Sequence, residues 1–234
     1  MAVRQGIIKS RCKTLHKTLL SMRNLLLLSI IALVLPVSCG AQADAEAEAS
    51  EEETDTTNMV VKTIMERRSI RKYLNTPVEH EKLAQVVECG INAPNGMNKQ
   101  PWEIRVVEDS AYISEVTEIF VKSNPDMAKN DPNFKNMFRN APNIICVATP
   151  NGESSVDAGM LGENMMIAAQ SMGLGTCCLG GPVAFLKSSE EAKPYLDKLE
   201  LPEGYQLNYI IAIGYPDEKP EAKPRDASKV KYIK

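Results

Sequence analysis

Residues 163–181 read ENMMIAAQSMGLGTCCLGG, and the order of elements inside this stretch decides the fold class. Residues 163–172 read as a helix, and Gly173 is a natural left-handed cap for its end. Residues 176–179 then read as a short strand, followed by Gly180 and Gly181. Gly173-Leu174-Gly175 therefore leaves a helix. A dinucleotide-binding fingerprint instead follows a strand and opens a helix, so a Rossmann cofactor site is rejected.

Working outward, helices and strands mix along the chain. Met59, Val60, Ile64 and Met65 form a helical stripe. Pro77 precedes a second helix with Leu83, Val86, Val87 and Ile91 on its apolar face, ended by the breakers of 92–96. Residues 103–108 (EIRVVE) read as a strand, and Asp109 or Ser110 can cap a helix bearing Ile113, Val116 and Phe120. Residues 124–140 are polar, hold two prolines, and read as a loop with at most a short helix. Residues 143–148 (NIICVA) and 205–213 complete the strands. This mixture gives an α/β or α+β class.

The chain has 234 residues, 44% hydrophobic and 24% charged, with 13 glycines and 14 prolines, which excludes a disordered or collagen-like polymer. Of 27 basic and 30 acidic residues, 6 and 7 lie before residue 56, leaving a nearly balanced body of 21 and 23. Such a body offers no clustered positive excess for nucleic acid. Two histidines, His16 and His80, exclude multi-histidine zinc sites. The cysteines are 12, 39, 89, 146, 177 and 178, without C-x-x-C spacing, so no metal site is expected. Cys177 and Cys178 read as strand residues, because neighbouring cysteines bridge only with backbone strain.

Residues 1–39 read as a targeting leader. The apolar run 25–37 (LLLLSIIALVLPV) rises roughly 20 Å as a helix, short of a bilayer core of roughly 30 Å, and suits a signal peptide. A start at Met22 would give a conventional signal. Val37-Ser38-Cys39 resembles a loose lipobox, with Cys39 receiving lipid, whereas Ala41-Gln42-Ala43 offers ordinary cleavage. Residues 40–56 hold an acidic, low-complexity tether, and a tether favours the anchored reading. Either way the expectation is an exported bacterial protein: a membrane-anchored lipoprotein, periplasmic or outer-membrane, or alternatively a soluble periplasmic one. The folded domain spans 57–234.

Four segments exceed the needs of packing. RRSIRKY (67–73) places three arginines and a serine within five residues, a set able to grip a phosphate monoester through forked, charge-assisted hydrogen bonds. APNGMNKQPW (93–102) is a turn rich in amides. Gly180 and Gly181 leave backbone open to a ligand's face. Lys223-Pro224-Arg225 supplies a late basic pair. Each has an ordinary reading alone, as a solvated face, a turn or a charged tail.

Together, RRSIRKY, PV-x-x-EKL, APNGMNKQPW, ENMMIAAQSMGLGT and IAIGYP-x-E-x-P resemble the nitroreductase family of FMN-dependent oxidoreductases, from about residue 63 to 225. The resemblance implies an α+β fold, a helix-covered sheet sandwich forming an intertwined homodimer with FMN at the interface. It implies that Arg67, Arg68, Ser69 and Arg71 hold phosphate and ribityl, closed over by Lys223 and Arg225. Pro94, Asn95, Gly96 and Asn98 would reach the flavin from the partner subunit, and Gly180 and Gly181 would present N–H groups near its N5 and O4. No catalytic side chain is implied, since the flavin's N5 carries the hydride. The implied reaction passes electrons from an NAD(P)H-type donor to a nitroaromatic, quinone or similar acceptor. An exported FMN-binding electron carrier without its own turnover is the alternative, because those nucleotides are scarce outside the cytoplasm. Asn95 stands where serine is common and Cys178 where tryptophan is frequent, and both bear on the substrate pocket.

Overall fold

The computed structural model describes residues 58–152 and 155–234. The leader, Met22, Cys39, the A-x-A site and the acidic tether lie outside the described residues. The elements run α1 (Met59–Glu66), α2 (His80–Ile91), β1 (Glu103–Val107), α3 (Ser110–Ser123), α4 (Pro125–Asn130), β2 (Asn143–Pro150), α5 (Ser155–Ser171), β3 (Gly175–Leu179), α6 (Gly181–Ser188), α7 (Lys193–Asp197) and β4 (Tyr205–Gly214). The strands make one antiparallel sheet in the order β1-β2-β4-β3. The fold is α+β, as the sequence implied.

Strand alternation builds two cores, because successive side chains leave a strand on opposite faces. Ile144 and Cys146 of β2, with Ile210 and Ala212 of β4, face Tyr112, Ile113 and Val116 of α3 and Val183 and Leu186 of α6. Ile145 and Val147, with Ile211 and Ile213, face Leu83 and Val86 of α2 and Leu161, Met165 and Ala169 of α5. Ile144, Ile145, Ile210 and Ile211 are wholly buried, and burying such a side chain contributes roughly 1.5–3 kcal/mol. The continuous apolar run of β2 thus reflects burial on both faces. The sheet lies between two helical layers.

Asp109 caps α3 by accepting from the Ala111 N–H at 2.8 Å. Gly173 closes α5 with φ +75°, and the Leu174 N–H reaches back to the Ala169 carbonyl at 2.9 Å. That helix begins at Ser155, eight residues before the expected start. Ile91 corrects the expected face of α2: it is 45% exposed, and Gly90 instead meets α5, where a Cβ would collide with Met165. None of α1 is buried, and Met59, Val60, Ile64 and Met65 of its apolar stripe are exposed.

Candidate active site

The arginine segment is held as an extra rung on the sheet. Ser69 bridges Thr176 in parallel, and the Ile70 N–H donates to the Thr176 carbonyl at 2.9 Å. Tyr73 then bridges Pro216, with Leu74 donating to Tyr215 and Asp217 donating to Lys72, each at 2.9 Å. Gly175 makes this docking possible. A Cβ there would stand 2.7 Å from Ile70, so any larger residue would push the segment off β3.

This extended backbone sends alternate residues in different directions. Arg71 lines a cleft of about 690 Å³ together with Cys177, Cys178, Gly180 and Gly181. That volume falls in the range of roughly 300–1,000 Å³ typical of small-molecule sites. Arg68 lines a separate, smaller hollow with Ile70 and Gly175. Its guanidinium donates to the Met65 carbonyl at 2.7 Å and the Arg67 carbonyl at 2.8 Å, satisfying the end of α1. Arg67 pairs with Glu163 of α5 at 3.6 Å. Ser69 sits between Arg68 and Arg71 on the same segment.

Gly180 and Gly181 end β3 and begin α6, with Pro182 in the first helical turn. A Cβ on either would meet no protein atom within 4 Å, so their backbone is open to a ligand. Cys178 opens on the same cleft. Packing around its thiol, and then the neighbouring Cys177, raise its pKa, and burial raises that of Cys177. Buried Cys146 is pushed up to about 12. These thiols are protonated at neutral pH and are poor nucleophiles. Cys89, Cys146, Cys177 and Cys178 are all free.

The amide loop is not part of this cleft in a single chain. Trp102 anchors it in the core beneath α2 and α5. Asn95 accepts from the Gln100 N–H at 2.8 Å, and the Gly96 N–H approaches Asp157 at 3.4 Å. Met97, Asn98 and Gln100 all have φ between 50° and 54°, a conformation costly for a methionine. Pro94, Gly96 and Asn98 are exposed, and Asn98 makes no side-chain hydrogen bond among the described residues. Lys223 and Arg225 are likewise exposed and outside the cleft, with Arg225 donating to the Lys223 carbonyl at 2.9 Å.

Residues 123–141 read in the sequence as a lid-like region without readable specificity, and the residues that roof the cleft are not singled out there as site residues. Phe120, Met127, Phe134, Asn136, Arg139 and Asn140 line it from α3 through the turn before β2. Phe120 and Phe134 stack at 6.4 Å. The asparagines at 133, 136 and 140 were the available signal, since asparagine tolerates left-handed turns.

A helix-covered antiparallel sheet with a glycine-floored cleft, whose charged lining is Arg71, Arg139, Asp126 and Asp131, defines an α+β protein with room for a small molecule. Residues 64–215 match the Nitroreductase family, and the chain belongs to it. It is 29% identical over 174 residues to an NADPH-flavin oxidoreductase of Vibrio harveyi, covering 72% of this chain and 70% of the relative. A putative NADH dehydrogenase/NAD(P)H nitroreductase of Archaeoglobus fulgidus is 28% identical over 167 residues, covering 68% of this chain and 87% of the relative. A Desulfitobacterium hafniense nitroreductase with bound FMN superposes with TM-score 0.67 at 26% identity, covering 76% of this chain and all of the other. A Bacteroides fragilis nitroreductase with bound FMN gives 0.66 at 25%, with the same coverage.

Proposed function

We propose that this protein is an FMN-dependent oxidoreductase that passes electrons from an NAD(P)H-type donor to a nitroaromatic, quinone or similar acceptor. The observation that carries the reading is one cleft in which Arg71 and the open backbone of Gly180 and Gly181 face the same space. These residues fit a flat ring bearing an anionic tail. Bound FMN would supply the redox chemistry at its ring. Arg67, Ser69 and Arg71 would hold its phosphate and ribityl chain, with Lys223 and Arg225 joining from the C-terminal segment. Arg68, spent largely on capping α1, would contribute mainly by fixing the segment. Gly180 and Gly181 would let the ring approach, and Phe120, Phe134 and Met127 would exclude water from the acceptor's side.

The working unit is a homodimer in this reading. Met59, Val60, Val61, Ile64 and Met65 of α1 are 47–71% exposed, and Val156, Met160 and Met97 add further apolar surface. An uncovered stripe of this size is what a second copy would bury. The partner would bring Pro94, Asn95, Gly96 and Asn98 to the flavin. Export fits residues 1–39, with Cys39 as the lipid anchor behind the acidic tether. A Cys39→Ala variant should then fractionate as soluble. A wild-type protein that is itself soluble and begins at Asp44 would favour cleavage after Ala43.

The full chain purified with its native cofactor should show a flavin visible spectrum, bleached by NADH or NADPH and restored by a nitroaromatic or quinone. A colourless protein that takes up no added FMN would sink the reading. Flavin that binds but is neither reduced by a donor nor reoxidised by any acceptor would leave only the electron-carrier alternative.

A further inference from the structure

We propose that Arg139 is an anion-binding residue of the cleft, holding a phosphate or carboxylate from the roof while Arg71 faces the same space from the edge of the sheet. The proposal rests on the oxidoreductase reading above and adds a residue that neither the motifs nor the family resemblance supplies.

The first observation is electrostatic placement. Arg71 and Arg139 both line the cleft, and the charges of Arg71, Arg139 and Arg67, opposed by the carboxylate of Glu218, all reach the thiol of Cys177 in its wall. Glu218, which accepts from the Arg71 backbone N–H, answers part of that positive charge. Arg67 has Glu163. Arg139 has nothing: its guanidinium makes no hydrogen bond or ion pair among the described residues. Asp126 and Asp131 also line the cleft, yet neither pairs with either arginine, and Asp131 is engaged by the Asn133 N–H at 2.9 Å.

The second observation is how the backbone presents this side chain. Arg139 has φ +60° and Asn140 φ +64°, a region that residues other than glycine and asparagine seldom occupy. Asparagine side chains hold the turn there. Asn140 Oδ1 accepts from the N–H groups of Lys135 at 2.8 Å and Asn136 at 3.0 Å, and its amide donates to the Asn133 carbonyl at 2.7 Å. Asn136 accepts from the Phe138 N–H at 2.9 Å and donates to the Ala141 carbonyl at 3.0 Å. Phe138, wholly buried, pins the turn from below. The result is a free guanidinium on a fixed, unfavourable backbone at the mouth of a ligand cleft, an arrangement that an anion would repay.

Two anions have the required chemistry: the phosphate monoester of the cofactor and a carboxylate on the acceptor. The test uses the full chain with Arg139→Asn, which suits the left-handed backbone, and Arg139→Lys, which restores the charge. Dissociation constants are measured by flavin fluorescence for FMN and for riboflavin, which lacks the phosphate. KM is measured for 4-nitrobenzoate and nitrobenzene. The proposal holds with phosphate as the anion if Arg139→Asn weakens FMN about tenfold, spares riboflavin, and is largely rescued by lysine. It holds with carboxylate if flavin affinities stay unchanged while KM rises about tenfold for 4-nitrobenzoate alone. It is overturned if neither pair separates, or if FMN and riboflavin weaken equally. A wild-type chain that binds neither flavin would remove the oxidoreductase reading and this proposal with it, an outcome distinct from a variant that behaves as wild type.

Discussion

The arginine segment and the amide loop are both short runs of hydrogen-bonding side chains, yet the fold treats them in opposite ways. Residues 69–74 are stitched to β3 on one side and to 215–217 on the other, and they face a cleft already floored by the same chain. The loop around Asn98 is rooted by Trp102, touches α5 through the Gly96 N–H and Asp157, carries three non-glycine residues at positive φ, and holds Asn98 out to solvent. One motif is completed by its own chain. The other lies outside the cleft, an apolar face of α1 is likewise exposed among the described residues, and the proposed homodimer gives both a role.

The most damaging challenge to this contrast is to forbid the second copy. Val61→Asp with Met65→Asp puts two charges on the exposed stripe of α1 without touching the core. Interfaces of intertwined dimers usually bury more than about 2,000 Å², and desolvating two unpaired charges there should abolish association. Sedimentation equilibrium should show a folded monomer with no bound flavin. A flavin-loaded monomer would break the comparison outright.

Next in size is loss of the guanidinium facing the cleft. Hydrogen bonds to charged groups contribute roughly 1.5–3 kcal/mol, so Arg71→Ala should weaken FMN binding about ten- to a hundred-fold. Mixing sharpens this. If the amide loop acts on the partner's site, exchanging Arg71→Ala chains with Asn98→Ala chains should restore about a quarter of the sites in random pairs. A loop serving its own chain would restore none.

Smaller, and purely structural, is the comparison of two glycines at the ends of β3. Gly175→Ala forces Ile70 and the arginine segment aside and should lose about 1–3 kcal/mol of stability in urea unfolding. Gly180→Ala, with nothing within 4 Å of the new methyl, should unfold like wild type while binding flavin less well. Equal stability of the two variants would mean that Ile70 can move without cost.

The least effect belongs to His80. It meets Glu108 at 2.8 Å on the surface, and that hydrogen bond, followed by the charge of Glu108, raises its pKa. A raised folded pKa means that any stabilisation is fully present below the unfolded value near 6.5 and fades as pH rises through the folded one. His80→Ala should therefore lose a little stability at acidic pH, none at alkaline pH, and keep near-normal turnover. A hundred-fold fall in turnover with flavin still bound would overturn a mechanism without a histidine.

Legibility followed the range of the forces involved. The strands at 143–148 and 205–213 and the cap at Gly173 were readable because strand alternation and left-handed caps are local properties. Ile91 misled because helical periodicity marks a face without saying which neighbour approaches it, and Gly90 let Met165 come close instead. The full length of α5 was missed because residues 155–162 mix small and polar side chains, and only burial of Ala158 and Leu161 against the sheet commits them to the helix. RRSIRKY was visible as a chemical set, but its division of labour was not. Pairing with Thr176 turns Arg68 to the end of α1 and Arg71 to the cleft.

By itself the sequence determined the order of helix, glycine and strand that excludes a dinucleotide fold, the apolar run that makes 143–148 a strand, and the residue types able to hold a phosphate. These follow from local geometry and side-chain chemistry, which travel with the residues wherever they fold. Only the tertiary structure decided which of those residues share a space. Docking of Ile70 against Gly175 brought Arg71 beside the glycine pair from more than a hundred positions away, and the asparagine-tied turn set Arg139 above it. Such meetings depend on long-range packing between segments, and no local pattern encodes a distance across the fold.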